Sequence, residues 1–177
     1  MQYKKLSLLS TFAVVGMISA VNAQAAADTT INITATVTAT PCTVKAPSTI
    51  NIGFTLDASE VATAGVDSIA SGTANIALSG CPSTTTSIDA TFSGPPVAGD
   101  NSGFGMKDSG GTIVTTGSIR LANADTSAVI SNTANTYTVT PSGGAATFKL
   151  KAYMHSITGS VKPGVYTTPI EVTYAYH

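Results

Sequence analysis

The sequence holds 177 residues, with 10% charged side chains, a formal net charge of −1, two cysteines and no tryptophan. That length supports one domain with a proper core. No basic stripe is present, which argues against nucleic acid or an anionic membrane as partner. A low-charge composition rich in Thr, Ser, Ala and Gly reads as all-β and extracellular.

The chain opens with a secretory leader. Lys4 and Lys5 form a basic start, residues 6–20 are apolar, and small residues follow in VNAQAAA. The segment is too short and wrongly flanked for a membrane span. Cleavage after Ala23 fits best, with Ala25 close behind. No later apolar run is long enough to cross a membrane, so the mature chain is expected to be soluble or part of a surface assembly.

Strand signals then follow one another. INITATV (31–37) alternates, with Ile31, Ile33, Ala35 and Val37 on one face, and Pro41 and Cys42 end it. INIGFTL (50–56) alternates again, with Ile50, Ile52, Phe54 and Leu56 inward, and a polar loop with Gly65 and Asp67 comes next. ANIALSGC (74–81) places Ile76 and Leu78 on one face, and SIDATF (87–92) buries Ile88, Ala90 and Phe92. GPPVAGDNSGFG is a turn-rich loop. GSIRLAN (117–123) and TYTVT (136–140) are short strands. ATFKLKAYM (146–154) turns Phe148, Leu150 and Ala152 inward and Lys149 and Lys151 outward. The last stretch, GVYTTPIEVTYAYH (164–177), alternates to the final residue, with Tyr166, Ile170, Val172, Tyr174 and Tyr176 on one face. Period-2 alternation of this kind marks half-buried strands. Seven or eight such strands with turns between them predict a β-sandwich of immunoglobulin type.

Cys42 and Cys81 form an even count in an exported chain, which argues for one disulfide. Closing a loop of about 40 residues is worth roughly 4 kcal/mol on the chain-entropy model. The alternative is a pair of buried free thiols, which an oxidising compartment disfavours.

Catalytic chemistry is poorly supplied. KDSGG (107–111) resembles the GDSGG around the nucleophile of chymotrypsin-like proteases. That mechanism needs a histidine base oriented by a buried carboxylate. His155 and His177 both follow Ser109, the reverse of that family's order, and a surface turn accounts for Asp, Ser and Gly equally well. Two histidines and two oxidised cysteines do not make a zinc set. His155 is expected to be an ordinary strand-end residue and His177 to be solvated. No enzyme activity, metal or cofactor is expected.

One family is suggested by particular residues. Gly164 stands fourteenth from the C-terminus and Tyr176 is penultimate, with Ile170, Val172 and Tyr174 alternating between them. TPCTV surrounds Cys42 and IALSGC ends at Cys81. Together with FKLKAYMHSITGSVKPGVY, these resemble chaperone–usher pilins of the type 1 and P fimbrial kind. The resemblance implies an all-β, incomplete immunoglobulin-like sandwich that lacks its last strand and is completed by a donor strand. It implies three segments: a signal peptide over 1–23, a donor-strand extension over about 24–33, and a pilin domain over 31–177. It implies that Gly164, Tyr166, Ile170, Val172, Tyr174 and Tyr176 form the strand that meets a periplasmic chaperone. It implies further partners in an outer-membrane usher and neighbouring pilin subunits, and a passage through the periplasm to a cell-surface fimbria.

This chain departs from the family at its donor segment. Only QAAADTT stands between the cleavage site and Ile31, where the family carries large alternating apolar residues. INITATV also resembles the donor of colonisation-factor pilins. The expected donor residues are Ala27, Thr29, Ile31 and Ile33. The expected function is a structural fimbrial subunit supporting adhesion, and the alternative is a minor or tip adaptor or adhesive module of the same fimbria.

Overall fold

A computed structural model describes residue 35 and residues 40–177. The expected leader, the donor residues and the INITATV strand apart from Ala35 lie outside the described residues. Among the described residues the strands are β1 (Thr43–Val44), β2 (Asp67–Ser79), β3 (Ile88–Ser93), β4 (Phe104–Lys107), β5 (Ile113–Asn123), β6 (Val129–Ile130), β7 (Thr136–Val139), β8 (Ala145–Ser156) and β9 (Glu171–Tyr176). One turn of 3-10 helix, Ala58–Val61, precedes β2.

Two sheets result. The larger runs β1-β2-β8-β5-β4, with β6 also on β5; the smaller runs β7-β3-β9. All of these pairings are antiparallel. Alternation decides the faces. β8 buries Phe148, Leu150, Ala152 and Met154, while β3 buries Ile88, Ala90 and Phe92. Apart from Met154, which belongs to a second cluster, these rows meet between the sheets in one core with Ile76, Leu78, Phe104 and Leu121. Phe148 sits at its centre, edge-on to Tyr137 with ring centroids 5.2 Å apart. The approach to β8 is a Gly143–Gly144 turn in which both residues have positive φ and Ser142 and Ala145 exchange backbone hydrogen bonds. Glycine reaches that conformation at no steric cost, and the turn's twist suits a right-handed hairpin.

Cys42 and Cys81 are bridged. The β1–β2 register, Thr43 opposite Ser79, brings the two together.

Several features differ from the sequence expectation, among them that β2 begins at Asp67, in the stretch read as a polar loop, and that β6 lies where no strand is expected. β4 begins within the stretch read as a turn-rich loop, which ends at Gly105. Its residues Phe104, Gly105 and Met106 are all buried, so it shows no alternation to read. A side chain at Gly105 would strike the carbonyl of Pro96 at 2.8 Å. The stretch 50–56 keeps its alternation but is not a strand: no ladder forms on it among the described residues. The final strand is divided. Thr167 bridges Lys107 of β4 in the larger sheet, and after Pro169 the chain joins β3 in the smaller one. Proline has no N–H to give a ladder, so a strand changes partner there at small cost.

Candidate functional site

Two half-buried rows lie over the core. In the first, Ile50, Ile52, Phe54 and Leu56 are half-buried and the residues between them exposed. In the second, Ile170, Val172, Tyr174 and Tyr176 alternate in the same way with exposed Glu171, Thr173 and Ala175. Seven of these eight pack on the central core, and Leu56 packs on a second cluster around Val61, Met106 and Met154.

The rows run side by side in opposite directions. At one end the Tyr176 hydroxyl is 3.5 Å from the Cys42 carbonyl. At the other, Phe54 and Leu56 meet Tyr166 on the second cluster. The first row is held close to β2 by a missing side chain: a Cβ on Gly72 would lie 2.7 Å from Ile52 Cγ2 and 2.8 Å from the Gly53 carbonyl.

The backbone of the two rows is the unusual part. β9 pairs with β3 from Glu171 opposite Ser93 to Tyr176 opposite Ile88. His177 continues the pairing, exchanging hydrogen bonds with Ser87 and accepting one from Thr86. Among the described residues no strand pairs with the other edge of β9. Nor does a backbone hydrogen bond join 46–56 to another described segment. Two open edges therefore flank an apolar floor, a combination that invites another strand. Phe148 supports that floor from below, 5.9 Å from the Tyr174 ring. Burial raises the phenol pKa values of both Tyr174 and Tyr176.

The structure brings Ile170, Val172, Tyr174 and Tyr176 together on this groove. Gly164 and Tyr166 stand before the break at Pro169. Gly164 is exposed, while Tyr166 caps the groove's far end and donates its hydroxyl to the Lys162 carbonyl at 2.6 Å. Ala27, Thr29, Ile31 and Ile33 lie outside the described residues.

Ser109 lies in a tight turn. Asp108 Oδ1 accepts from the N–H groups of Gly110 and Thr112, both at 2.9 Å, and Gly111 has φ +82°. The depression beside it, about 470 Å³, is lined by Thr116, Ser160, Lys162 and Tyr166 among others, and by no histidine among the described residues. His177 pairs with Asp89 at 3.2 Å and is about half exposed.

Sequence reading missed a polar cluster on the larger sheet. His155 is the penultimate residue of β8 and is buried there, with Nδ1 2.6 Å from Asp67. Arg120 reaches Asp67 at 3.1 Å and Asp100 at 3.3 Å. Asp100 accepts from the Ser118 hydroxyl at 2.5 Å and from the Ser102 N–H at 2.9 Å. Burial alone would raise the Asp100 pKa; the bonds from Ser118, Arg120 and Ser102, with the guanidinium charge, more than offset this and hold it below the ordinary 3.8. The cluster ties β2, β5, β8 and the loop before β4 together. Its members are scattered over 67, 100, 118, 120 and 155, so no local signal marks it.

The family profile described as Fimbrial protein matches residues 31–174. The chain belongs to the fimbrial protein family. This family is one of structural subunits of surface fimbriae. No curated protein sequence matches the fimbrial chain. Among solved structures it is similar to the P pilus rod subunit PapA, with a TM-score of 0.58 and 20% identity over 78% of this chain and 100% of that one. It is similar to a chaperone–usher pilus subunit, with a TM-score of 0.59 and 18% identity over 86% and 97%. It also resembles the CupB6 tip adhesin of Pseudomonas aeruginosa, with a TM-score of 0.53 and 21% identity over 66% of this chain but 33% of the adhesin. At these identities the likeness establishes the fold, an incomplete immunoglobulin-like sandwich.

Proposed function

We propose that the chain is a structural subunit of a chaperone–usher fimbria, polymerised by donor-strand exchange. The observation that carries this reading is the pair of antiparallel, half-buried rows with open backbone edges over one apolar floor. A periplasmic chaperone fills the groove first with one of its strands. At an outer-membrane usher the N-terminal extension of the next subunit takes its place, with Ala27, Thr29, Ile31 and Ile33 facing the floor. The leader over 1–23 directs the chain to that route and the fimbria stands on the cell surface.

The energetics suit a permanent joint. Burying about four apolar donor side chains contributes on the order of 6–12 kcal/mol before ordering costs. The ladder on both sides of the donor leaves no free edge. A head-to-tail contact does not close, so it builds a filament, and slow dissociation keeps that filament intact outside the cell.

The test is one gel. The chain is expressed with its chaperone and usher, and the sheared surface fraction is run in SDS with and without boiling. A ladder of multimers that collapses to monomer on heating is expected. Monomer alone in both lanes, soluble without a chaperone, overturns the reading.

A further inference from the structure

We infer that the Cys42–Cys81 bond is a tension clamp, which leads the pull on a fibre into β2 and leaves the 50–56 wall of the groove slack. The inference rests on the donor-strand reading above and gives the bond a mechanical role that folding alone does not require.

In such a fibre each copy is held at two places. Its groove holds a neighbour's donor, and its own N-terminal segment is held in another groove. Tension therefore enters the domain along the chain through Pro41 to Cys42, wherever that segment lies and whichever way the donor runs. At Cys42 the path forks. The main chain leads on through Thr43 to row 50–56. The side chain leads through the bond to Cys81, whose Cα is 4.3 Å away.

The two branches are held very differently. On the main-chain branch, β1 is two residues long and pairs with Ser79 and Leu78 of β2, and the Lys45 N–H donates to the Ala77 carbonyl at 2.9 Å. Beyond Lys45, no backbone hydrogen bond joins 46–56 to another described segment. The row itself is held by side-chain packing, and a segment without a ladder opens locally at low cost. Once it opens, the groove loses a wall and the donor its seat. The branch through the bond ends on the longest ladder of the fold. The Cys81 N–H donates to the Gly144 carbonyl at 3.0 Å. From there β2 runs back in nine consecutive pairs with β8, Ser79 opposite Ala145 to Ser71 opposite Tyr153. β8 is paired in turn with β5, Gly117 opposite Ser156 to Asn123 opposite Leu150. Two branches that share a load divide it by stiffness, so the one fixed to these ladders carries it.

A disulfide ordinarily stabilises by restricting the unfolded chain, an effect blind to where a pull enters. The clamp is not blind to it, and that difference is the test. The subunit is filled with a peptide of residues 24–37 bearing one handle. The second handle is p-azidophenylalanine at position 40, 51 or 83, all exposed. The lifetime of the peptide in the groove is read under one constant load. Pulled from 40, as in a fibre, or from 83, the joint should last comparably long. Pulled from 51, inside the row, it should fail at least ~10-fold sooner, the change given by about 1.4 kcal/mol of barrier. In Cys42→Ala/Cys81→Ala the joint pulled from 40 should fail as fast as from 51, while that from 83 outlasts both. Reduction of the filled subunit, checked by labelling both thiols, gives the same comparison where the double variant does not fold. Equal lifetimes from 40 and 51 with the bond intact, or equal lifetimes from 40 and 83 without it, overturn the inference and leave the donor-strand reading standing. A peptide that does not stay in the groove without load overturns both.

Discussion

Replacing Gly72 with alanine should weaken the protein, against the usual trend. In a strand this change ordinarily stabilises by about 0.4–1 kcal/mol, because alanine restricts the unfolded chain more than glycine does. Gly72 is buried and its φ is not in the left-handed region, so the backbone itself does not forbid alanine. The obstacle is the first row of the groove. The new Cβ would stand 2.7 Å from Ile52 Cγ2 and 2.8 Å from the Gly53 carbonyl oxygen. Ordinary contact begins near 3.4 Å, so the 52–53 backbone must retreat by more than half an ångström. Overpacking of this kind costs about 1–3 kcal/mol. A loss of 2 kcal/mol lowers the melting temperature of a domain this size by about 4–8 °C. The retreat also displaces one wall of the groove, and each 1.4 kcal/mol lost at the joint is a factor of about ten in donor affinity. The assay is thermal unfolding of the subunit filled with a peptide of residues 24–37, followed by peptide affinity. A Gly72→Ala subunit that melts at or above the parent temperature and keeps its affinity refutes the packing of row 50–56 on β2.

Other expectations follow from the same geometry. Cys42→Ser opens the loop closed by the disulfide and should cost about 4 kcal/mol, read as a lower urea midpoint and reduced yield of chaperone complex. Arg120→Met leaves the Asp100 carboxylate, with 5% of its side chain exposed, without its countercharge. A loss of about 3–5 kcal/mol is expected in equilibrium unfolding at pH 7. Asp100 has a depressed pKa in the folded protein, so its contribution is complete above the unfolded value of 3.8 and disappears as pH falls through the folded value. Ser118→Ala removes one bond to that carboxylate; it should cost about 1.5–3 kcal/mol at pH 7 and move the onset of acid unfolding to higher pH, followed by circular dichroism.

Much of this fold is written in local alternation. Phe148, Leu150 and Ala152, or Ile88, Ala90 and Phe92, announce their strands because each has one wet face. The groove rows were legible for the same reason: Ile50 to Leu56 and Ile170 to Tyr176 alternate just as true strands do. What alternation cannot report is the partner. It gave no warning that row 50–56 has no ladder among the described residues, or that Pro169 sends the last segment from one sheet to the other. β4 escaped notice because both its faces are covered and prolines and glycines surround it. The Asp67–Arg120–Asp100–His155 cluster escaped because long-range pairing assembles it. The bulge in β2 between Asp67 and Ser71 escaped because DSIASGT carries too few large residues to show a break in phase.

Amide hydrogen exchange before and after polymerisation tests the central claim most directly. If a donor strand from another copy fills the groove, the amides of 50–56 and the outward-facing amides of β9 exchange freely in the empty subunit and become protected in the fibre. The β2–β8 ladder stays protected in both. Rows already protected in the lone subunit, or unchanged in the fibre, would contradict the account.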